Sequence, residues 1–404
     1  MSATEEAGHR RQGIAFLLAA LAAIGPFTVD TYLPSMQDIG AALRASPLQV
    51  QQTLTSYLLM FSVMSLWHGA ISDAIGRRKV VVVTLGLFIL ASVGCVFASR
   101  IEHLWILRGL QGFSACAGVV VSRAIVRDMF QGPAAQRLMS HITMMFAIAP
   151  AIAPVIGGHL QTWFGWRSIF VFLVLFGSVL LFGIWRWLPE TLPVQRRQSL
   201  HPVYLGRSYW KVMTSPVFLF ACGGLAFNFA GFFIYIMSAP VFLMRHLGIP
   251  ETGFLWLFGP AMSGLLLGSW LSGKLAGKIS PQQTILRGYL AMGAAVIFNI
   301  VLNLLFPPAL PWCILPIPLY TLGMSLTMPS LTLLALEPFP EQRGLAASCQ
   351  MFLQSLNNSL LAGVIAPAAW GSTLSLSLGM GGLMSLGAVS AWMHYRLTRG
   401  AIGS

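Results

Sequence analysis

The sequence predicts an all-α membrane protein of twelve transmembrane helices arranged as two similar six-helix bundles, and three observations predict it. The first is composition: of 404 residues, 56% are hydrophobic and only 9% charged, with a mean hydropathy of +0.76. Soluble domains carry charge on about a quarter of their residues. The second is a series of apolar runs of roughly 20 residues, the length that crosses about 30 Å of hydrocarbon. They lie near 14–36, 50–71, 80–98, 104–126, 138–158 and 168–187, and again near 216–243, 254–273, 286–306, 312–335, 345–368 and 374–394. The third is that short patterns recur at a near-constant offset between these two sets of six spans.

Charge orients the chain. With both termini placed in the cytoplasm, 19 of the 24 basic residues, from Arg10 and Arg11 through Arg396 and Arg399, fall in cytoplasmic segments. Only Arg44, Arg100, Arg167 and Arg245 face outward, as the positive-inside rule requires, and Arg108 alone lies within a span. The net charge of +13 is therefore a topology signal. No basic patch interleaved with aromatics points to nucleic acid. The five cysteines sit in apolar spans without metal or disulfide spacing and read as packing residues. Arg10 and Arg11 before an apolar stretch containing Ala20 and Ala22 have the pattern of a signal peptide. The segment is read as a true span because cleavage would leave eleven and remove the partner of the seventh.

The repeat is visible around the loop after the second span. GAISDAIGRRK at 69–79 is followed 200 positions later by LSGKLAGK at 271–278, which pairs Ser72 with Ser272, Ile75 with Leu275 and Arg78 with Lys278. An offset near 210 relates Gly112 to Gly323 and the run 128–130 to 337–339. Internal repeats of this kind mark secondary transporters. They divide the chain into an N-terminal bundle, 1–188, a basic, proline-containing cytoplasmic linker, 189–215, and a C-terminal bundle, 216–404.

The same loop, with Gly69, Asp73, Gly76, Arg77, Arg78 and Lys79, resembles the signature between the second and third helices of the major facilitator superfamily. Physically, Asp73 can accept from helix N-terminal amides and pair with a basic group across the bundle, latching one end of it. LRGLQG at 107–112 resembles the superfamily's fourth-span motif. APVIGG at 153–158, with Pro154, Gly157 and Gly158, resembles the antiporter motif of the fifth, in which Ala153 replaces a glycine. VDTYLP in the first span, RDMF at 127–130 and WRSIF at 166–170 resemble the Bcr/CflA branch of drug:proton antiporters. The resemblance covers essentially the whole chain. It implies an exporter in the bacterial inner membrane that exchanges a small amphipathic organic compound for protons, with no other cofactor. Its implied cargo is antibiotics of the chloramphenicol, bicyclomycin or sulfonamide type, and the alternative is an endogenous solute such as a purine or an amino acid. Some relatives carry a second acid two turns before the first-span Asp, where this chain has Ala22.

Asp30 stands out inside an otherwise apolar span. A charge at the centre of a membrane helix costs about 2.5–3.5 kcal/mol, so intramembrane acids mark function. Counted from Met36, Asp30 lies about 9 Å from the outer end of its span, and Arg108, counted from Leu104, lies about 6 Å into its own. The near match predicts that the two face each other as an ion pair across a cavity. Loss of the pairing through cargo binding or rocking would then favour protonation, which makes Asp30 the coupling acid and Arg108 its tuner. A purely structural pair is the competing reading.

The remaining intramembrane polar and aromatic residues are candidate cargo contacts. Gln111 lies one turn from Arg108, and Asn228, Phe232, Tyr235 and Ile236 share one face of the seventh helix at i, i+4, i+7 and i+8. Tyr57, Met144, Phe146 and Gln354 occupy comparable levels, and for all of these packing is an equal alternative. Arg123, one turn before Arg127, either snorkels to the cytoplasm or narrows the range of cationic cargo. Enzymatic function is not indicated: there is no HExxH, GxSxG or P-loop sequence, and no span carries a metal-ligand pattern. The expected assembly is a monomer, since each chain supplies both halves.

Overall fold

A computed structural model describes residues 3–130, 132–197 and 202–400. Within them, the side chains of 3–12, 133–137, 140, 141, 143–147, 202, 204, 399 and 400 are not described. The described backbone is helical nearly throughout, and it divides into two compact units between Pro202 and Val203.

In the first unit the order is α1 (Ala3–Asp30), a 3₁₀ turn (Leu33–Ser35), α2 (Met36–Leu43), α3 (Pro47–Ile75), α4 (Arg77–Val96), α5 (Ile101–Met129), α6 (Gly132–Phe164) and α7 (Arg167–Trp187). A helix the sequence did not announce, α8 (Pro202–Met213), lies within the linker segment 189–215. The second unit contains α9 (Pro216–Met237), a π-helical turn (Pro240–His246), α10 (Leu255–Leu275), α11 (Pro281–Leu305), α12 (Pro316–Leu336), α13 (Arg343–Leu360), a second π-helical turn (Leu361–Ile365), α14 (Ala366–Ala368) and α15 (Thr373–Gly400).

Among the described residues, ten helices are long and apolar enough to cross a membrane, so this is a multi-pass membrane protein. The two other expected spans, 138–158 and 345–368, correspond to α6 and to the run from α13 to α14. Part of α6 lies outside the described side chains. On α13, Gln350, Gln354, Asn357 and Asn358 dilute the apolar pattern. Large apolar side chains such as Leu90, Ile106, Val179, Trp185, Leu290 and Leu304 are exposed, as lipid-facing positions must be.

Each unit places its first helix centrally. In the first unit α1 packs on α5, α6 and α7, and in the second α9 packs on α12, α13 and α15, so the sequence repeat is a repeat of packing. The 200-residue offset holds at the backbone too: α3 ends at Ile75 and α10 at Leu275. Gly76 adopts φ +111° and Gly277 φ +76°, which glycine tolerates and other residues resist.

Membrane helices gain little from apolar burial against each other and rely on close backbone approach. A Cβ on Gly112 of α5 would lie 2.0 Å from the Tyr57 carbonyl oxygen of α3. In the second unit the equivalent pair, α10 and α12, is joined from the other partner, with Gly264 of α10 against the Pro318 carbonyl. Gly323, which the sequence offset matched to Gly112, approaches Gly288 of α11 instead. Replacing Gly112 by alanine must therefore force α5 off α3. The variant should lose about 1–3 kcal/mol, the usual cost of overpacking, read as a lower unfolding midpoint in detergent. Gly86→Ala, where a Cβ meets nothing within 4 Å, should be silent.

Candidate functional site

Two clusters of functional side chains form inside the first unit. One surrounds Asp30. Pro34 has no N–H to offer the Asp30 carbonyl four residues earlier, so α1 stops at Asp30 and the chain turns through Leu33–Ser35 into α2. Thr28 and Thr31 return their hydroxyls to the Ile24 and Phe27 carbonyls, each at 2.6 Å, which holds the last turn together beyond Pro26. Asp30 is 5% exposed and is the only acid among the buried described residues.

The break is clamped by α6. A Cβ on Gly157 would lie 2.1 Å from the Thr31 carbonyl, so the antiporter-like motif supplies the contact next to the acid. Ala153 is also fully buried, and the close approach falls to Gly157 rather than to the position where the motif has its first glycine. Farther along, Ser35 donates to Gln161 at 2.6 Å, and Gln161 donates to Asp38.

The apolar segment does not end at Met36: after the break at 31–35 the helical path continues to Leu43. The expected ion pair is corrected as well: among the described residues, Asp30 and Arg108 form no salt bridge, and the recorded pairs all involve Arg77.

Arg108 is fully buried, and its Nη1 donates to the Thr28 carbonyl at 3.1 Å and to Gln111 Oε1 at 2.9 Å. Its guanidinium carbon lies 4.6 Å from the Tyr32 ring centre and 4.8 Å from that of Tyr57. Depth along a span fixes level but not azimuth. Residues 28 and 30 are turned about 200° from each other, so a cation at the right level met the Thr28 backbone rather than the Asp30 carboxylate. Gln111 extends the network to α4 by donating to Ser92 at 2.7 Å. Tyr57 is thus the α3 ring against Arg108, with its hydroxyl 3.4 Å from the Gly25 carbonyl of α1.

The second cluster lies at the α3–α4 junction. Arg77 pairs with Asp73 one turn back at 2.5 Å and with Asp128 of α5 at 3.0 Å, and it donates to Ser72 at 2.6 Å. Here too the expected roles are redistributed. Asp73 makes only the local pair, and the bond across the bundle belongs to Asp128. The amide of Arg77, the first residue of α4, is taken by Glu190, whose Oε1 also accepts from the Thr191 and Leu192 amides. Arg78 donates to the Trp185 carbonyl, and Lys79 is exposed. Gly69 lies in ordinary contact with Val120, while Gly76 backs onto the Glu190 carboxylate and Arg197. Glu190 and Asp128 were missed as members of this cluster. Their signal was that each is a lone acid among basic residues just after an apolar run.

The other candidates separate. Asn228 donates to Tyr289 at 2.9 Å, Tyr320 donates to the Asn228 carbonyl at 3.0 Å, and Asn299 donates to Tyr235 at 2.8 Å. Phe232 and Ile236 are likewise buried. The face of α9 they share is thus engaged with α11 and α12 within its own unit. Gln354 is half-buried on α13. The side chains of Met144 and Phe146 lie outside the described residues. Arg123 is exposed at the end of α5. Among the described residues, no group of three or more His, Cys, Asp or Glu could hold a metal ion.

Comparison with known proteins identifies the family of the chain. The Major Facilitator Superfamily profile matches residues 15–362. The chain is 31% identical to the uncharacterized MFS-type transporter YdgK of Bacillus subtilis strain 168, over 98% of both chains. It is 28% identical to multidrug resistance protein D of Escherichia coli K12, over 95% of this chain and 96% of that one. It is 30% identical to a bicyclomycin resistance protein homolog of Haemophilus influenzae, over 72% and 74%. The fold is similar to that of the nucleoside transporter NupG, with a TM-score of 0.72 at 11% identity, covering 95% of this chain and 99% of that one.

Glu190 satisfies three backbone amides from outside the helices it serves. Glu190→Ala should cost about 1 kcal/mol, as loss of a helix N-terminal acceptor does. It should also make residues 188–197 more sensitive to limited proteolysis in the folded protein.

Proposed function

The chain belongs to the Major Facilitator Superfamily, and from that premise we propose that it exports small organic compounds across the bacterial inner membrane in exchange for protons, by alternating access. Drugs of the chloramphenicol and bicyclomycin type are the proposed cargo, in keeping with similarity to proteins named for multidrug and bicyclomycin resistance and to a chloramphenicol resistance protein of Pseudomonas aeruginosa, 31% identical over 65% of this chain and 62% of that one. The observation that carries the reading is Asp30: one buried acid, at a helix break, next to Thr31, whose carbonyl lies against the glycine of an antiporter-like motif.

In this reading Asp30 takes a proton from the outside as cargo leaves and gives it up inside as cargo binds. Arg108 sets how readily the carboxylate ionises. Protons are the only coupling species required, the chain acts as a monomer, and both termini are cytoplasmic, as the distribution of basic residues supports. The cluster around Arg77 serves as the latch at the cytoplasmic end of the first unit.

Cells expressing the protein should resist a subset of a chemically diverse drug panel, and a protonophore should abolish that resistance. In inverted vesicles, Asp30→Asn should remove proton-driven uptake of the same drugs at normal protein levels; undiminished uptake would exclude Asp30 as the coupling acid. Counterflow of labelled drug in proteoliposomes separates a carrier from a receptor, because only a carrier exchanges label.

A further inference from the structure

Arg108 has more hydrogen-bonding capacity than its neighbours use. Both Nη1 protons are satisfied, by the Thr28 carbonyl and Gln111, while Nε and Nη2 are buried and have no hydrogen-bond partner. Nε–H and the adjacent Nη2–H form the side-on edge of a guanidinium, two parallel donors whose spacing matches a planar group with two oxygens. An unpaired donor buried at this depth carries a desolvation cost, which a matching acceptor would remove.

We propose that the Nε–Nη2 edge of Arg108 is a recognition subsite for a planar two-oxygen group, carboxylate or nitro, on the transported molecule. The edge is held in place from every side. Tyr32 lies against the guanidinium and is tied by its hydroxyl to Thr53 at 2.8 Å, and Nη1 is bonded to two elements of the unit. A pre-oriented fork discriminates by geometry as well as by charge, which a lysine at the same place would not.

Tyr57 closes the other side of the guanidinium, its ring centre 4.8 Å from the guanidinium carbon. Its backbone is pinned by Gly112, and its hydroxyl lies 3.4 Å from the Gly25 carbonyl. The subsite rests on the export reading for its ligand, but not on the direction of transport or on its coupling.

The test is equilibrium binding to the full-length protein in nanodiscs of chloramphenicol, whose nitro group presents two coplanar oxygens, and of its reduced amine analogue, which presents none. The wild type should bind the nitro compound at least about tenfold more tightly, the worth of hydrogen bonds to a charged donor. Arg108→Lys, which keeps the charge and loses the fork, should bring the ratio to about one. Equal affinity of the wild type for both compounds, binding of neither, or an unchanged ratio in Arg108→Lys would each overturn the subsite. The wild-type comparison needs no variant, so misfolding of a mutant does not shield the proposal. Failure of the export reading is seen separately, as drug resistance indifferent to a protonophore.

Discussion

A guanidinium buried without a carboxylate partner is the constraint around which the first unit is organised. Placing Arg108 at full burial is unfavourable unless its donors and its charge are met by fixed dipoles and aromatic faces. The structure meets it with a carbonyl from α1, an amide from α5 and ring faces from α1 and α3. Each of these partners must then be held in place in turn. Thr53 holds Tyr32, Ser92 holds Gln111, and Gly112 lets α3 approach closely enough for Tyr57 to reach. Four helices are fixed by the needs of one side chain.

The acid at Asp30 exploits a different weakness. A proline four residues ahead removes the hydrogen bond that would carry α1 onward, and the resulting break leaves a carboxylate deep in the unit beside a close helix contact. Asp30 stands apart from Arg108, whose donors are met by the Thr28 carbonyl and Gln111 instead. A buried acid locked in a salt bridge is held ionised, and Asp30 carries no such lock.

The junction between α3 and α4 shows how a motif can be recognised and its wiring still misread. Glycine, acid and basic residues sit where the pattern places them, and Arg77 is indeed the hub. Yet the long-range acid is Asp128 and the helix cap is Glu190, because Asp73, four residues back across the Gly76 break, is taken up by the Arg77 side chain. Glu190 ties the segment after α7 to the start of α4.

The sequence by itself determined the membrane class, most of the spans and the twofold repeat, and it singled out Asp30, Arg108 and residues 69–79, because lipid imposes a length, a polarity and a charge asymmetry that can be read residue by residue. The 200-residue offset even located the ends of α3 and α10. Tertiary structure alone decided who touches whom. It separated Asp30 from Arg108, drew Asn228 and Tyr235 into the packing of their own unit, and moved the close approach beside Ala153 to Gly157. Contacts between helices depend on azimuth and on the reach of side chains from other helices, and neither is encoded in the linear depth of a residue along its span.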